Sequence, residues 1–256
     1  MNKIFSRLPL SFPRACVWYL IVSAVCVLAA ALFRVDPLTS FWFGALLSVA
    51  LLRIFRNGSS TSLTEGIYFS KYLPLVLMFP ALYLVMHTGA VPVVGFGPTL
   101  LRVLRIAFEV IWVELLFRQG ALLLFSRQEM FHLRSLIFTC AVFGASCLLL
   151  NYRFAPTGAG LALDVMLSVC MGVFLTALLL RTKNVLVPMT AHFLMRLTTL
   201  LLCGSDGGGS GIPEDDILSA LFLCALPLVI GGILIARGRK RELNCPKSQS
   251  ETESKA

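Results

Sequence analysis

Six residues in otherwise apolar sequence carry groups able to move protons, attack a carbonyl, hold a metal or balance a negative charge: Glu109, Glu114, Arg118, Cys147, His192 and Arg196. Glu114 and Arg118 stand four apart in VELLFRQG (113–120), which puts them on one face of a helix. His192 and Arg196 repeat that spacing in HFLMR (192–196). A buried carboxylate near an imidazole is a general acid–base pair. A thiol near an imidazole is a nucleophile with its base. Glutamate, cysteine and histidine together are also acceptable zinc ligands. The same side chains are equally suited to tying helices together through satisfied hydrogen bonds. Spacing alone leaves structural knot and chemical site open.

The elements that must position these groups follow from composition. Of 256 residues 57% are hydrophobic and 14% charged, with a mean hydropathy of +0.85. Soluble domains carry about a quarter charged residues. The expected fold is therefore all-α, a polytopic integral membrane bundle. Apolar segments at 15–33, 38–55, 72–87, 101–125, 132–151, 160–180, 185–203 and 217–236 predict eight spans. Each is roughly long enough to cross about 30 Å of hydrocarbon, the third being short. The third holds Pro74 and Pro80 and is expected to kink or re-enter. Depth is counted at about 1.5 Å per residue from the flanking charges Arg127, Arg134 and Lys183. Glu114, Cys147 and Arg196 then fall about 20 Å deep, and Arg118 and His192 about 14 Å. Ionisable groups at such depths face the bundle interior, so three helices are expected to share one polar cluster.

Loop charge gives orientation. With the N-terminus cytoplasmic, sixteen Lys and Arg lie on the inner side and four on the outer, namely Arg34, Arg102, Arg105 and Arg153. The outer loop GSDGGGSGIPEDD (204–216) has four acids and no base. This positive-inside bias supports an even number of spans and a cytoplasmic N- and C-terminus. It also accounts for the net charge of +9 without nucleic acid as a partner. The first span reads as an uncleaved anchor. Residues 1–236 form the expected transmembrane domain, and RGRKRELNCPKSQSETESKA (237–256) a disordered cytoplasmic tail whose basic cluster meets lipid headgroups. The eight cysteines contain no CxxC pair, which argues against a disulfide framework or zinc cluster. Apart from Cys147 they read as small apolar residues, with Cys245 a remote candidate for acylation. Gly158 and Gly160 read as loop. Walker, GxGxxG and HExxH motifs are absent.

The stretch VELLFRQGALLLF resembles the first motif, EExxxR, of the CAAX prenyl protease and bacteriocin-processing family (CPBP, or Abi). FGASC (143–147) stands in the place of that family's FxxxH, and HFLMR in the place of HxxxN. The approach MGVFLTALLLRTKNVLVPMTAHFLMRL (171–197) resembles the family as well, and the resemblance covers about 100–200. Gln119 reads as an insertion before Gly120. The resemblance implies an intramembrane, metal- or glutamate-dependent endopeptidase. In it the first Glu activates water with the second-motif His, while the third-motif His and Asn bind metal or the oxyanion. Those positions hold Val113, Cys147 and Arg196 here; Glu114, Arg118, Phe143 and His192 remain. Arg196 is expected to set a positive charge beside His192, against a bound cation.

Three functions follow. The first is a catalytically impaired CPBP-like protein whose polar cavity binds peptide, lipid or a membrane protein. The second is an active peptidase with altered chemistry: Glu114 as base with His192, a Cys147 thiolate activated by His192, or Glu114, Cys147 and His192 holding zinc. The third is a transporter or channel subunit. The compartment implied is a bacterial-type inner membrane or its equivalent.

Overall fold

The computed structural model describes residues 12–33, 37–56, 69–86, 96–126, 133–151, 158–182, 184–203 and 217–244. Every regular element among them is helical. They are α1 (Phe12–Leu32), α2 (Pro37–Arg56), α3 (Phe69–Met86), α4 (Phe96–Glu114), a π-helical turn (Leu115–Gly120), α5 (Ala121–Ser126), α6 (Leu133–Asn151), α7 (Gly158–Thr182), α8 (Leu186–Cys203) and α9 (Ile217–Asn244). Because α4, the π-turn and α5 are continuous, eight rods stand where the eight apolar segments predict them. The chain is a helical membrane bundle.

Its polarity is inverted relative to a water-soluble domain. Large apolar side chains such as Trp18, Val25, Trp42, Leu46 and Val85 are exposed, while Glu114, Arg118, Gln119 and Asp164 are buried. In water so much exposed apolar surface would drive association; in hydrocarbon it is the solvent-facing surface, and the polar groups turn inward. α1 and α7 are each long and apolar enough to cross a membrane, with mean hydropathies of 2.4 and 2.3. They occupy opposite positions: the apolar window is 28% buried in α1 and 61% in α7. α1 is peripheral and buries one stripe, Ala15, Tyr19, Ser23 and Val27, at helical spacing.

α7 is the hub, packed along both α6 and α9, while α2 packs on α4 and α3 on α8. Small residues permit the close approaches, as they do between membrane helices generally. A Cβ at Gly231 of α9 would stand 3.2 Å from Phe174 Cα and 3.3 Å from Phe174 N on α7. One at Gly144 of α6 would collide with Val169 of α7.

α3 is continuous through both Pro74 and Pro80. Two local expectations change. Gly158 and Gly160, expected in a loop, begin α7. α9 runs eight residues past the expected boundary at 236 because Arg, Lys, Glu and Leu, which continue it, are strong helix formers. The proposed tail beyond Asn244 with Cys245, the loop 204–216 and residues 1–11 lie outside the described residues.

Gln119 has a structural consequence. One extra residue in a helix is accommodated as a π-bulge, and the π-turn spans Leu115–Gly120. Widening the turn frees carbonyls from the regular ladder. The Tyr19 hydroxyl of α1 donates to the Phe117 carbonyl at 3.3 Å. The Tyr19 ring also packs on Phe117, Phe125 and Phe138, so α1 clamps the turn that carries Arg118.

Candidate functional site

Glu114 is the last residue of α4 and is 0% exposed. Its Oε1 lies 3.2 Å from Arg118 Nη1 and 2.6 Å from His192 Nδ1. A carboxylate already paired to a guanidinium is an acceptor only, so Nδ1–H of His192 donates and the imidazole is fixed in that tautomer. Arg118 lies with its guanidinium carbon 4.0 Å from the centroid of the Phe143 ring on α6, a cation–π arrangement. Phe143 in turn meets His192 edge-on at 6.5 Å between centroids. One charge-bearing knot therefore joins α4, the π-turn, α6 and α8.

Arg196 does not join it. Its Nη2 lies 3.6 Å from Glu109 Oε1, forming a second ion pair between α8 and α4. The expected adjacency of Arg196 and His192 thus resolves into separate partnerships: histidine to Glu114, arginine to Glu109. The extra cation is offset by a carboxylate nearer the other end of α4.

Between the two pairs lies a cavity of about 80 Å³ enclosed by α4, α6, α7 and α8. Glu109 and Val113 line it from α4, Ser146 and Cys147 from α6, Asp164 and Ser168 from α7, and His192, Arg196 and Thr199 from α8. Glu114 is not among its lining residues. Successive residues on a helix point about 100° apart, so at this register Val113 takes the cavity face and Glu114 the inter-helix face. The six residues that the sequence singles out divide accordingly. Glu109, Cys147, His192 and Arg196 line the cavity; Glu114 and Arg118 support its wall.

Zinc-dependent hydrolysis is one chemistry that the sequence resemblance implies, and the donor set does not fit it. Among the described residues no group of three or more His, Cys, Asp or Glu converges. His192 Nδ1 and Glu114 Oε1 are spent on one another, and Cys147 faces the cavity together with Ser168. The expected Glu114–Cys147–His192 zinc set is therefore corrected: its members surround the same region without forming a ligand cage.

Sequence reasoning passed over Asp164, Ser168, Ser146 and Thr199. Asp164 had a legible signal, as the single acid in the apolar run GLALDVMLSV. The hydroxyls had none, because serine and threonine commonly turn back to their own helix, as Ser146 does to the Val142 carbonyl at 2.7 Å.

Fold and site define a helical membrane protein built around a buried polar cavity, with an ion-paired acid–base knot in its wall. Residues 95–198, which run from the start of α4 through most of α8, match the family of type II CAAX prenyl endopeptidases described as Rce1-like, and over that segment the chain is similar to this family. No curated protein and no solved structure matches the chain.

Proposed function

We propose that this protein keeps the membrane-embedded Rce1-like scaffold and has lost its water-activating endopeptidase chemistry, retaining the cavity to bind a segment of peptide or lipid. The carrying observation is the exchange of roles at 113 and 114. The residue on the cavity face is Val113, which transfers no proton, and the adjacent carboxylate is clamped by Arg118 and His192. A general base must reach the water it activates within about 3 Å, and Glu114 is committed elsewhere.

In this reading the chain crosses the membrane eight times, with both termini cytoplasmic. The test is proteolysis by the purified full-length protein in lipid vesicles, using a farnesylated peptide ending in a CAAX sequence. The expected result is no cleavage above a protein-free control. Cleavage that disappears in Glu114→Gln would overturn the proposal, because it would make Glu114 the working base.

A further inference from the structure

The cavity holds a nucleophile that the family's chemistry does not use. Cys147 lines it from α6 and is partly exposed, unlike the buried Cys140, Cys170 and Cys224. His192 lines the same cavity from α8. The two walls touch at this level, because Phe143, one turn before Cys147 on the same helical face, packs edge-on against His192.

His192 is already oriented. It retains 12% exposure while its Nδ1 edge is spent on the fully buried Glu114. The imidazole therefore meets the cavity with its other edge, that of Nε2, which is unprotonated when Nδ1 carries the hydrogen. Nucleophile, base and a carboxylate fixing the base's tautomer are the three roles of a catalytic triad, recognised by geometry rather than by chain order. Arg118 stands outside this set; it holds Glu114 ionised as the acceptor. Arg196 adds a fourth part. Its Nη2 is buried without a hydrogen-bond acceptor, and its ion pair with Glu109 is long, at 3.6 Å.

We infer that the cavity is a covalent acyl-accepting site for small esters and thioesters, with Cys147 as nucleophile, His192 as its base and Glu114 as the residue that orients the imidazole. As the Cys147 Sγ–carbonyl carbon bond forms, the thiol proton passes to His192 Nε2. The oxyanion develops opposite Arg196 Nη2. Collapse breaks the bond from the carbonyl carbon to the leaving oxygen or sulfur, and His192 returns the proton to the departing alkoxide or thiolate. The products are S-acyl-Cys147 and a free alcohol or thiol; nothing is oxidised or reduced. A cavity of about 80 Å³ accommodates an acetyl-sized group.

This inference rests on the loss of peptidase chemistry only in that Val113 leaves the cavity without a carboxylate at that position. The test uses the full-length protein in detergent with p-nitrophenyl acetate, following nitrophenolate release and the site of acetylation by peptide mass. The expected result is a burst approaching one equivalent per chain, with the acetyl group on Cys147 and the burst absent in Cys147→Ala. His192→Gln should slow it by about tenfold or more, and Glu114→Gln by less. Acetyl spread over Cys16, Cys26 and Cys147 according to exposure overturns the inference, as does a Cys147 burst untouched by His192→Gln. Should His192→Gln fail to fold, the distribution of acetyl in the unaltered protein decides alone: preference for Cys147 sustains the site and parity with Cys16 and Cys26 ends it. Failure here leaves the loss of peptidase chemistry standing, whereas CAAX-peptide cleavage that survives Cys147→Ala and is lost in Glu114→Gln overturns that loss instead.

Discussion

At the scale of single residues, the decisive event is a one-position difference in direction. Val113 and Glu114 are neighbours in sequence and face different surroundings, one the cavity and one the seam between helices. The sequence made the absence of a carboxylate at 113 legible, and the four-residue spacing made the Glu114–Arg118 pair legible. It could not tell which partner His192 would choose, because Arg196 and Glu114 lay at comparable expected depths and only the packing of α8 against α4 separates them. The Glu114–Arg118 pair carries a testable energetic signature. Removing one partner of a buried pair leaves an uncompensated charge, at a cost of about 3–5 kcal/mol, whereas neutralising both costs far less. Arg118→Ala should therefore lower the thermal midpoint in detergent sharply, and adding Glu114→Gln should restore part of the loss. A double variant no more stable than Arg118→Ala would show that the guanidinium acts mainly through its packing on Phe143.

At the scale of elements, apolar length and composition foretold every rod, since hydrophobic thickness dictates both. The joints between rods were not foretold. Gln119 was visible as an extra residue, yet that it would be absorbed as a π-turn held by Tyr19 from α1 requires a partner ninety-eight positions away. Contact glycines such as Gly144 and Gly231 could not be singled out, because sequence does not show which face of a membrane helix meets another helix when all faces are apolar. α9 offers a controlled comparison. The Cβ position at Gly231 faces the backbone of Phe174, which cannot yield, while at Gly232 nothing lies within 4 Å. Gly231→Ala should destabilise by about 1–3 kcal/mol through overpacking. Gly232→Ala should stabilise by up to about 1 kcal/mol through helix propensity. Thermal midpoints of the two variants check this, and equal shifts would mean that α7 and α9 are not in close contact at this level.

At the scale of the whole molecule, the inverted distribution of polarity has two consequences that reinforce each other. Lipid on the outside supplies no hydrophobic drive between helices, so the bundle relies on close packing at glycines and on buried polar pairs. Those pairs are the same groups that wall the cavity; scaffold and site are one set of residues. Their expense in hydrocarbon is tolerable because Glu114 meets Arg118 and His192, and Arg196 meets Glu109. The orientation proposed for this bundle rests on charges at and beyond the ends of the rods. Sixteen basic residues against four across the alternating segments give the expected topology, because Lys and Arg near span ends are retained on the cytoplasmic side. A thiol engineered into the acidic loop, Ser205→Cys, should react with a membrane-impermeant maleimide in intact cells. The native Cys245, beyond α9, should react only after permeabilisation. Reaction of both in intact cells would remove α9 as a span and leave an odd number of crossings. The reverse pattern would invert the bundle and open the Glu109–Arg196 end of the cavity toward the cytoplasm.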